Sequence, residues 1–457
     1  MKRLSRADSI AIGTLLFGLM FGAGNIIFPV MMGQNAGANY WPAAIGFLLT
    51  GVGLPVLAII SFSLSRKTTL YEYAGPIGKI PSLAFCVALL LTIGPLFAEP
   101  RTATVAFDVG VQPFLGKDVT LPLFIYSAIF FIVVLILAFR PSKILDVVGK
   151  FLAPLFIVLM GILLICCVVS PMGSPSSFEP KGPYVSRSFI QGILDGYNTM
   201  DILACLAFGC IIIDNIHMLG VKDAGSVARE TGRSSITTLV IMCVLYIGLT
   251  YLGATSLGSM SAQETGGAIL AKASNHYLGN VGQMLLAAIA TVACLKTAIG
   301  LTVSLSDTFY NLFNGKVPLK AWTVLFVLAS FGIANFGLMT IIQLSIPVLM
   351  FIYPLSITFI ALWIINHFIP LKDAAFKICI LFSCIAAIFD FLKATPEVIS
   401  GNSSVQWFVG LPAKFLPLYE QGLGWIVPLC AGLIISFIFF RSGEKKEGSS
   451  DLEEKTA

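Results

Sequence analysis

The sequence predicts an all-α integral membrane protein with about twelve transmembrane helices, and three observations lead to this prediction. Only 11% of the 457 residues are charged and 57% are hydrophobic, with a mean hydropathy of +0.92, whereas soluble domains carry about 25% charged residues. Apolar runs of roughly 20 residues, enough for a helix to cross a bilayer, recur along the chain. These runs are continuous and do not alternate in polarity, which argues against a transmembrane β-barrel.

Twelve apolar runs are assigned as spans, and several are longer than a simple crossing requires. The polar segment 441–457 that follows them is predicted to be a disordered, solvated tail. In chain order, the approximate limits of the spans are Ile10–Met32, Trp41–Leu64, Ile80–Val111, Leu121–Phe139, Phe151–Val169, Phe189–Ile216, Ser235–Leu257, Leu278–Phe313, Trp322–Phe336, Met339–Ile365, Phe376–Leu392 and Leu423–Phe440.

The distribution of Lys and Arg orients the spans. With the N-terminus in the cytoplasm, the predicted inner segments hold 20 of the 28 Lys and Arg residues, and the outer loops hold six. The remaining two, Arg101 and Lys296, lie inside spans. Because cytoplasmic loops of membrane proteins are enriched in Lys and Arg, we predict that both termini are cytoplasmic.

Spans 1 and 6 are predicted to be broken helices. Span 1 contains the segment Gly22–Asn25, with its two glycines, and Pro29 follows shortly after. Span 6 contains the stretch GYNTMDILACLAFGCII, Gly196–Ile212. These spans are five apart, so they cross the membrane in opposite directions. Broken helices at corresponding positions of two halves are typical of transporters built from inverted repeats.

Spans 3 and 8, which are also five apart, show a second correspondence. Span 3 carries PRTATVAFD (Pro100–Asp108) and span 8 carries LKTAIGLTVSLSD (Leu295–Asp307), each with a cation, then Thr-Ala, then an acid. We therefore predict a 5+5 inverted repeat. The first repeat would cover residues 1–170 and the second residues 188–366, followed by two more spans in residues 371–440.

A broken helix exposes backbone N–H and C=O groups that lipid cannot satisfy, so a ligand, an ion or an enclosed polar cavity must satisfy them. N–H groups at the start of a half-helix suit a carboxylate, and freed carbonyls suit Na⁺ or an ammonium group. Together they suit a zwitterion. In the alternative interpretation, Gly22 and Gly24 serve only the close packing of helices.

Charged residues at membrane depth are a sharper signal, because such charges are costly and usually mark function or pairing. Glu99 and Arg101 lie in span 3, Lys296 lies in span 8, and Asp201 lies in span 6. We assign Asp201 to a cavity. For Glu99 and Lys296 two roles stay open: a structural ion pair with each other, or a role in coupling transport to an ion. Arg101 and Asp108 lie on one helix face about 10 Å apart along the axis, a distance that long side chains or a water can bridge.

Hydroxyl groups cluster on span 8, where their oxygens would suit Na⁺. In the alternative interpretation these side chains bond back to their own helix. The residues concerned are Thr297, Thr302, Ser304 and Ser306.

The remaining motifs exclude several classes of function. All ten cysteines lie in apolar runs and no CxxC occurs, so no disulfide framework is predicted. The three histidines are far apart, and no HExxH, GxSxG or Walker motif occurs. We therefore predict that the chain is not an enzyme, needs no cofactor beyond a coupling ion, and has no nucleic-acid or obligatory protein partner. A channel would need a continuous polar lining, which is not seen.

Eight stretches carry a resemblance to a known family, in order along nearly the whole chain. They are FGAGNIIFP (Phe21–Pro29), GFLLTGVGLPVL (Gly46–Leu57), GPLFAEPRTATVAFDVG (Gly94–Gly110), LPLFIYS (Leu121–Ser127), GYNTMD (Gly196–Asp201), TAIGLT (Thr297–Thr302), IPVLMFIYP (Ile346–Pro354) and LPLYEQGLGW (Leu416–Trp425). The chain resembles the bacterial branched-chain amino acid:cation symporters, which are similar to the wider LeuT-type fold. The resemblance implies a multi-pass protein of the bacterial inner membrane that imports leucine, isoleucine and valine with Na⁺ or H⁺.

The resemblance also implies the residues that bind substrate. The span 1 break would hold the substrate carboxylate. The span 6 break, expected at about Leu203–Gly209, would place Phe208 against the substrate side chain. The implied substrate-binding residues are Gly22, Ala23, Gly24, Asn25, Asp201, Leu203, Phe208 and Gly209.

By the same resemblance, Na⁺ would be bound between spans 1 and 8. Val303 stands where Na⁺-coupled carriers place a second hydroxyl, so one ligand of that pattern is missing. The implied ligands are Gly18, Phe21, Asn25, Thr297, Ile299 and Thr302.

Glu99 and Lys296 depart from the uncharged residues that the resemblance leads us to expect. The Lys296 ammonium could stand in for a bound Na⁺, and Glu99 could exchange a proton. We therefore hypothesise that the chain is H⁺-coupled or independent of Na⁺. Three alternatives stay open: a Glu99–Lys296 ion pair that braces spans 3 and 8, a Na⁺-independent carrier or exchanger of other neutral amino acids, and a membrane receptor or channel.

Overall fold

The computed structural model describes residues 3–115, 118–139 and 144–439, and the secondary structure in these ranges is helical, with no strand. Within them, eight helical stretches are long and apolar enough to cross a membrane, and three shorter apolar helices accompany them. The prediction of an all-α membrane protein is confirmed. The number of crossings and the repeat boundaries stay predictions. The predicted tail, residues 441–457, lies outside the described residues.

The first half of the chain forms the helices that correspond to predicted spans 1 to 5. Short π-helical turns at Leu49–Gly53 and Thr92–Leu96 join α3 to α4 and α6 to α7. The helices are α1 (Arg6–Met20), α2 (Ala23–Ala36), α3 (Tyr40–Leu48), α4 (Leu54–Ser65), α5 (Leu70–Ala74), α6 (Lys79–Leu91), α7 (Ala98–Gly110), α8 (Thr120–Ala138) and α9 (Ile144–Val169).

The second half forms longer helices and a set of short ones near the end. The longest, α13, is bent at Gly279, whose φ of +65° lies in the left-handed region that glycine adopts without a steric cost. The helices are α10 (Tyr184–Tyr197), α11 (Asp201–Met218), α12 (Ala224–Thr255), α13 (Gly266–Leu312), α14 (Leu319–Ala334), α15 (Leu338–Phe368), α16 (Asp373–Ala394), α17 (Glu397–Ser400), α18 (Ser403–Gly410) and α19 (Ile426–Phe439).

Span 1 consists of α1 and α2, which are separated by Phe21 and Gly22. Both residues have extended backbone dihedral angles. The N–H of Gly22 donates to Oδ1 of Asn25 at 3.0 Å, so the Asn25 side chain satisfies one of the backbone donors freed at the start of α2. Ala23 and Asn25 are buried, so the N-terminus of α2 begins inside the protein and not at its surface.

Span 6 consists of α10 and α11, separated by residues 198–200. Met200 has a φ of +62°, and the N–H of Asp201 donates to Oγ1 of Thr199 at 3.4 Å, so a threonine precedes the start of α11. The sequence-based location of this break, Leu203–Gly209, is wrong, because those residues form regular turns of α11. Asp201 consequently follows the interruption and does not precede it. Gly209 serves close packing instead: a Cβ there would lie 3.3 Å from the Phe62 ring.

Glycines bring the interrupted spans against their neighbours at backbone distance. A Cβ on Gly253 of α12 would overlap the carbonyl group of Val30 in α2. A Cβ on Gly192 of α10 would overlap the carbonyl group of Ala43 in α3. Small residues permit this approach, which is the usual basis of helix association in membranes. The contacts hold α2 against α12, and α10 against α3.

Candidate functional site

A central cavity of about 70 Å³ lies where the two interruptions face α7 and α13. Leu203 and Gly209, which were predicted as substrate-binding residues, do not line it. Leu203 is fully buried inside the protein. Thr297, predicted as a Na⁺ ligand, and Arg101 also line it. The six predicted substrate-binding residues that line it are Gly22, Ala23, Gly24, Asn25, Asp201 and Phe208.

Asn25 connects the two interruptions. Its Oδ1 accepts from the N–H of Gly22, and its Nδ2 donates to Oδ2 of Asp201 at 2.7 Å, across to α11. The same Nδ2 also donates to the hydroxyl of Tyr246 on α12. Asn25 is 1% exposed, so no solvent competes for these bonds. One amide therefore ties α2, α11 and α12 together beside the cavity.

Asp201 is the acidic residue of the cavity. Its carboxylate is 1% exposed, and Oδ2 accepts from Asn25 and, at 3.2 Å, from the hydroxyl of Tyr246. Both partners are neutral, and among the described residues no cation lies within ion-pair distance of Asp201. A buried carboxylate without a cation is an incomplete arrangement that a positively charged ligand can complete.

Arg101 is the basic residue of the same cavity, and the pairing with Asp108 that the sequence left open is not formed. The Asp108 carboxylate instead accepts from Oγ1 of Thr265 at 2.8 Å, at the N-terminus of α13, where the helix dipole favours an acid. The two side chains leave α7 in different directions, although the spacing along the helix axis would have allowed a bridge.

Glu99 and Lys296 do not form the ion pair that the sequence left open as an alternative to a coupling role. The pair Arg233–Glu230 is the ion pair found among the described side chains. Glu99 is fully buried, and its Oε1 accepts from Oγ1 of Thr302 at 2.5 Å. Lys296 points elsewhere: its Nζ lies 3.9 Å from the position that a Cβ would take on Gly18 of α1.

The hydroxyls predicted to bind Na⁺ are turned to other partners. The single hydroxyl proton of Thr302 is shared between Oε1 of Glu99 and the carbonyl of Ala298, which both lie within hydrogen-bond distance of Oγ1. Oγ1 of Thr297 donates to the carbonyl of Ala293 at 3.1 Å. The bonds to Ala293 and Ala298 run back to the same helix, as in the alternative interpretation, whereas the bond to Glu99 joins α13 to α7. The structure thus brings Gly18 close to Lys296, and it brings Thr302 to span 3 and not to span 1.

Tyr246 and Ser345 contact the site residues, and the sequence analysis missed both. Tyr246 is buried between Asn25 and Asp201, and the Ser345 hydroxyl accepts from Arg101. Each lies in a predominantly apolar run that also holds other polar residues, and only the packing of its helix brings it to the site residues. A polar side chain inside a span is the one signal that could have marked them.

The sequence is similar to a family of transport proteins along nearly its whole length. The profile of the family described as "Branched-chain amino acid transport protein" matches residues 5–442. A branched-chain amino acid permease BrnQ of Lactobacillus delbrueckii subsp. lactis is 41% identical over 430 residues, which cover 94% of this chain and 96% of the relative. BrnQ of Escherichia coli strain K12 is 37% identical over 452 residues, covering 98% and 99%.

Solved structures resemble the fold at low sequence identity. The inward-facing conformation of Mhp1 matches with a TM-score of 0.61 and 11% identity, covering 96% of this chain and 95% of that one. MhsT in complex with L-phenylalanine matches with a TM-score of 0.55 and 14% identity, covering 96% and 99%. Both are transporters of the LeuT fold, so the predicted fold class is confirmed.

Proposed function

The chain belongs to the branched-chain amino acid transport protein family, and on this premise we propose that it imports leucine, isoleucine and valine as a secondary symporter that works by alternating access. The observation that carries the proposal is the cavity between two interrupted helices, with the carboxylate of Asp201 at its edge. The ammonium group of an amino acid matches the Asp201 carboxylate, and its carboxylate matches the helix N-terminus exposed at an interruption. The family membership and the cavity support transport, in agreement with the absence of enzyme motifs in the sequence.

The substrate ammonium group is assigned to Asp201. Its carboxylate lines the cavity in the first turn of α11, where the helix dipole favours an acid. It accepts hydrogen bonds from the neutral donors Asn25 and Tyr246, and no described cation is paired with it. Hydrogen bonds to a charged group contribute about 1.5–3 kcal/mol each. A primary ammonium group has three donors and one positive charge, so it suits this carboxylate.

The substrate carboxylate is assigned to the N-terminus of α2. The residues Gly22, Ala23 and Gly24 line the cavity there. The N–H groups of the first helical turn have no intrahelical acceptor, and the helix dipole adds a partial positive charge at that end. The small side chains leave the backbone accessible to a ligand.

The aliphatic side chain is assigned to the apolar wall of the cavity. Phe208 lines the central cavity and also an adjacent cavity of about 10 Å³ that lies between α1, α4 and α11. Ligand cavities are usually at least about 300 Å³, so the present cavity of about 70 Å³ must expand before an amino acid can occupy it. If α1 and α11 move apart at Phe208, the two cavities would merge and enlarge. The merged cavity would then open toward the side of the membrane on which α1 begins, which is predicted to be the cytoplasm.

We assign the coupling ion as H⁺, with no requirement for Na⁺. Lys296 presents its ammonium group near Gly18, and Thr302 is hydrogen-bonded to Glu99. Both features support the hypothesis that a lysine replaces the Na⁺ bound between spans 1 and 8 in Na⁺-coupled carriers of this fold. The observations favour this assignment over Na⁺ coupling, which is the alternative that the experiment must test.

The test is uptake of labelled leucine into proteoliposomes under imposed gradients. An inward H⁺ gradient in choline buffer should drive accumulation, and a protonophore should abolish it. Isoleucine and valine should compete with leucine, and lysine should not. A strict requirement for Na⁺ together with indifference to the pH gradient would reject H⁺ coupling.

A matched pair of variants tests the assignment of Asp201. Asp201→Asn should abolish leucine uptake, because the neutral amide cannot balance the ammonium charge. Asp214→Asn, which alters an exposed acid on the same helix, should leave uptake unchanged. Leucine counterflow by Asp201→Asn at the wild-type rate would contradict the assignment.

A further inference from the structure

Arg101 is a buried cation whose partners are all neutral. Its Nη1 donates to the carbonyl of Asn198 at 2.9 Å, and its Nη2 donates to the hydroxyl of Ser345. Its Nε is buried and makes no hydrogen bond to any described residue. The guanidinium also lies over the ring of Phe28, 5.3 Å from the centroid. The side chain is 2% exposed.

No carboxylate within the described part of the chain lies at ion-pair distance from Arg101. Asp108, the acid on the same helix, is engaged by Thr265, and Glu99 is engaged by Thr302. Asp201 lines the same cavity without forming an ion pair with Arg101. A charge in the membrane interior without a countercharge is costly and is usually retained for a function.

Arg101 lies beside the first turn of α2. The carbonyl of Asn198, which accepts from Arg101, is 3.5 Å from the position a Cβ would take on Gly24. Phe28, under the guanidinium, also contacts the Gly24 position. Arg101 and Gly24 both line the cavity. The guanidinium and the free N–H groups of α2 are therefore on the same side of the cavity.

We infer that Arg101 binds the α-carboxylate of the substrate, together with the N-terminus of α2. The inference rests on the proposed function and adds the residue that recognises the acid group. Guanidinium groups bind carboxylates with two parallel hydrogen bonds, and the unpartnered Nε is one of the donors available for them. With Asp201 as the acceptor of the ammonium group, the cavity presents one cation and one anion that are not paired with each other. A zwitterionic α-amino acid neutralises both.

The test measures the binding of leucine and leucinamide to the purified protein. Leucinamide keeps the ammonium group and the isobutyl side chain, and it lacks the carboxylate. The wild type should bind leucine at least tenfold more tightly than leucinamide. In Arg101→Met, leucine affinity should fall about 10- to 100-fold, the range expected for a lost charge-assisted bond. Leucinamide affinity should stay the same, so the preference should disappear.

The control is Arg187→Gln, which removes an arginine that donates to the carbonyl of Glu420 outside the cavity. It should keep the wild-type preference for leucine. Arg101→Lys, which keeps the charge and loses the planar fork, should recover part of the leucine affinity.

Three outcomes overturn the inference. If Arg101→Met keeps the wild-type preference for leucine over leucinamide, Arg101 does not bind the carboxylate. If the wild type binds both compounds equally, the carboxylate is not recognised, and this result needs no variant to fold. If the wild type neither binds nor transports leucine, the proposed function fails as well, so the two failures are distinguishable.

Discussion

Replacing Asn25 by alanine should both destabilise the protein and weaken leucine binding. The buried side chain makes three hydrogen bonds: one from the N–H of Gly22, one to the Asp201 carboxylate and one to the Tyr246 hydroxyl. A bond to a charged partner contributes about 1.5–3 kcal/mol, and each bond between neutral groups about 0.5–1.5 kcal/mol. The loss of all three should lower the free energy of unfolding by roughly 2.5–6 kcal/mol. The buried site offers no solvent to replace them.

The effect on binding follows from the position of Asp201. Without Asn25, Oδ2 of Asp201 keeps only the longer bond from Tyr246, at 3.2 Å, and its orientation toward the cavity is less restricted. We expect leucine affinity to fall at least about tenfold, which corresponds to about 1.4 kcal/mol. Thermal unfolding in detergent, followed with and without leucine, measures both quantities.

The matched control is Asn335→Ala. Asn335 accepts from the Ser127 hydroxyl at 3.3 Å and donates to the carbonyl of Phe331 at 2.7 Å, and it does not line the cavity. Its replacement should lower stability by less than the replacement of Asn25 and leave leucine affinity unchanged. The reasoning is refuted if Asn25→Ala unfolds at the wild-type temperature and binds leucine within twofold of the wild type.

Three further predictions concern positions outside the substrate contacts. Gly192→Ala should prevent correct folding, because the new Cβ would overlap the carbonyl group of Ala43; a single symmetric size-exclusion peak at the wild-type position would contradict this. Gly300→Ala should fold and stabilise α13 by up to about 1 kcal/mol, because no atom lies within 4 Å of the new Cβ; a lower unfolding temperature would argue against it. Asp390→Asn should unfold at or above the wild-type temperature at neutral pH, because both carboxylate oxygens of Asp390 are buried without a hydrogen bond; a clear decrease would show that an ionised Asp390 has a stabilising partner.

The fold and the general place of the site were accessible from local sequence properties. The long apolar runs predict helices in a bilayer, and the cluster of Gly22, Gly24 and Asn25 marked the segment in which α1 gives way to α2. Both properties depend on residues close together in the chain. The same is true of Asp201, an acid in an apolar span, which lines the cavity as expected.

The location of the second interruption was wrong for an instructive reason. The resemblance implied a break at about Leu203–Gly209, but these residues are helical, and Gly209 instead permits close packing against Phe62. The actual interruption, at residues 198–200, contains no glycine and is accompanied by a left-handed Met200. Whether a glycine within a span permits unwinding or close packing cannot be decided without knowing which helix lies beside it.

The sequence by itself determined that the chain is an all-α membrane protein and which charged residues lie within apolar helices, because lipid imposes its requirements on each segment separately. The tertiary structure alone decided how the charges are partnered: Arg101 with Asn198, Asp108 with Thr265, Glu99 with Thr302. The physical reason is that a side chain's partner depends on the rotation of its helix about its own axis. That rotation is set by contacts with helices distant in the chain.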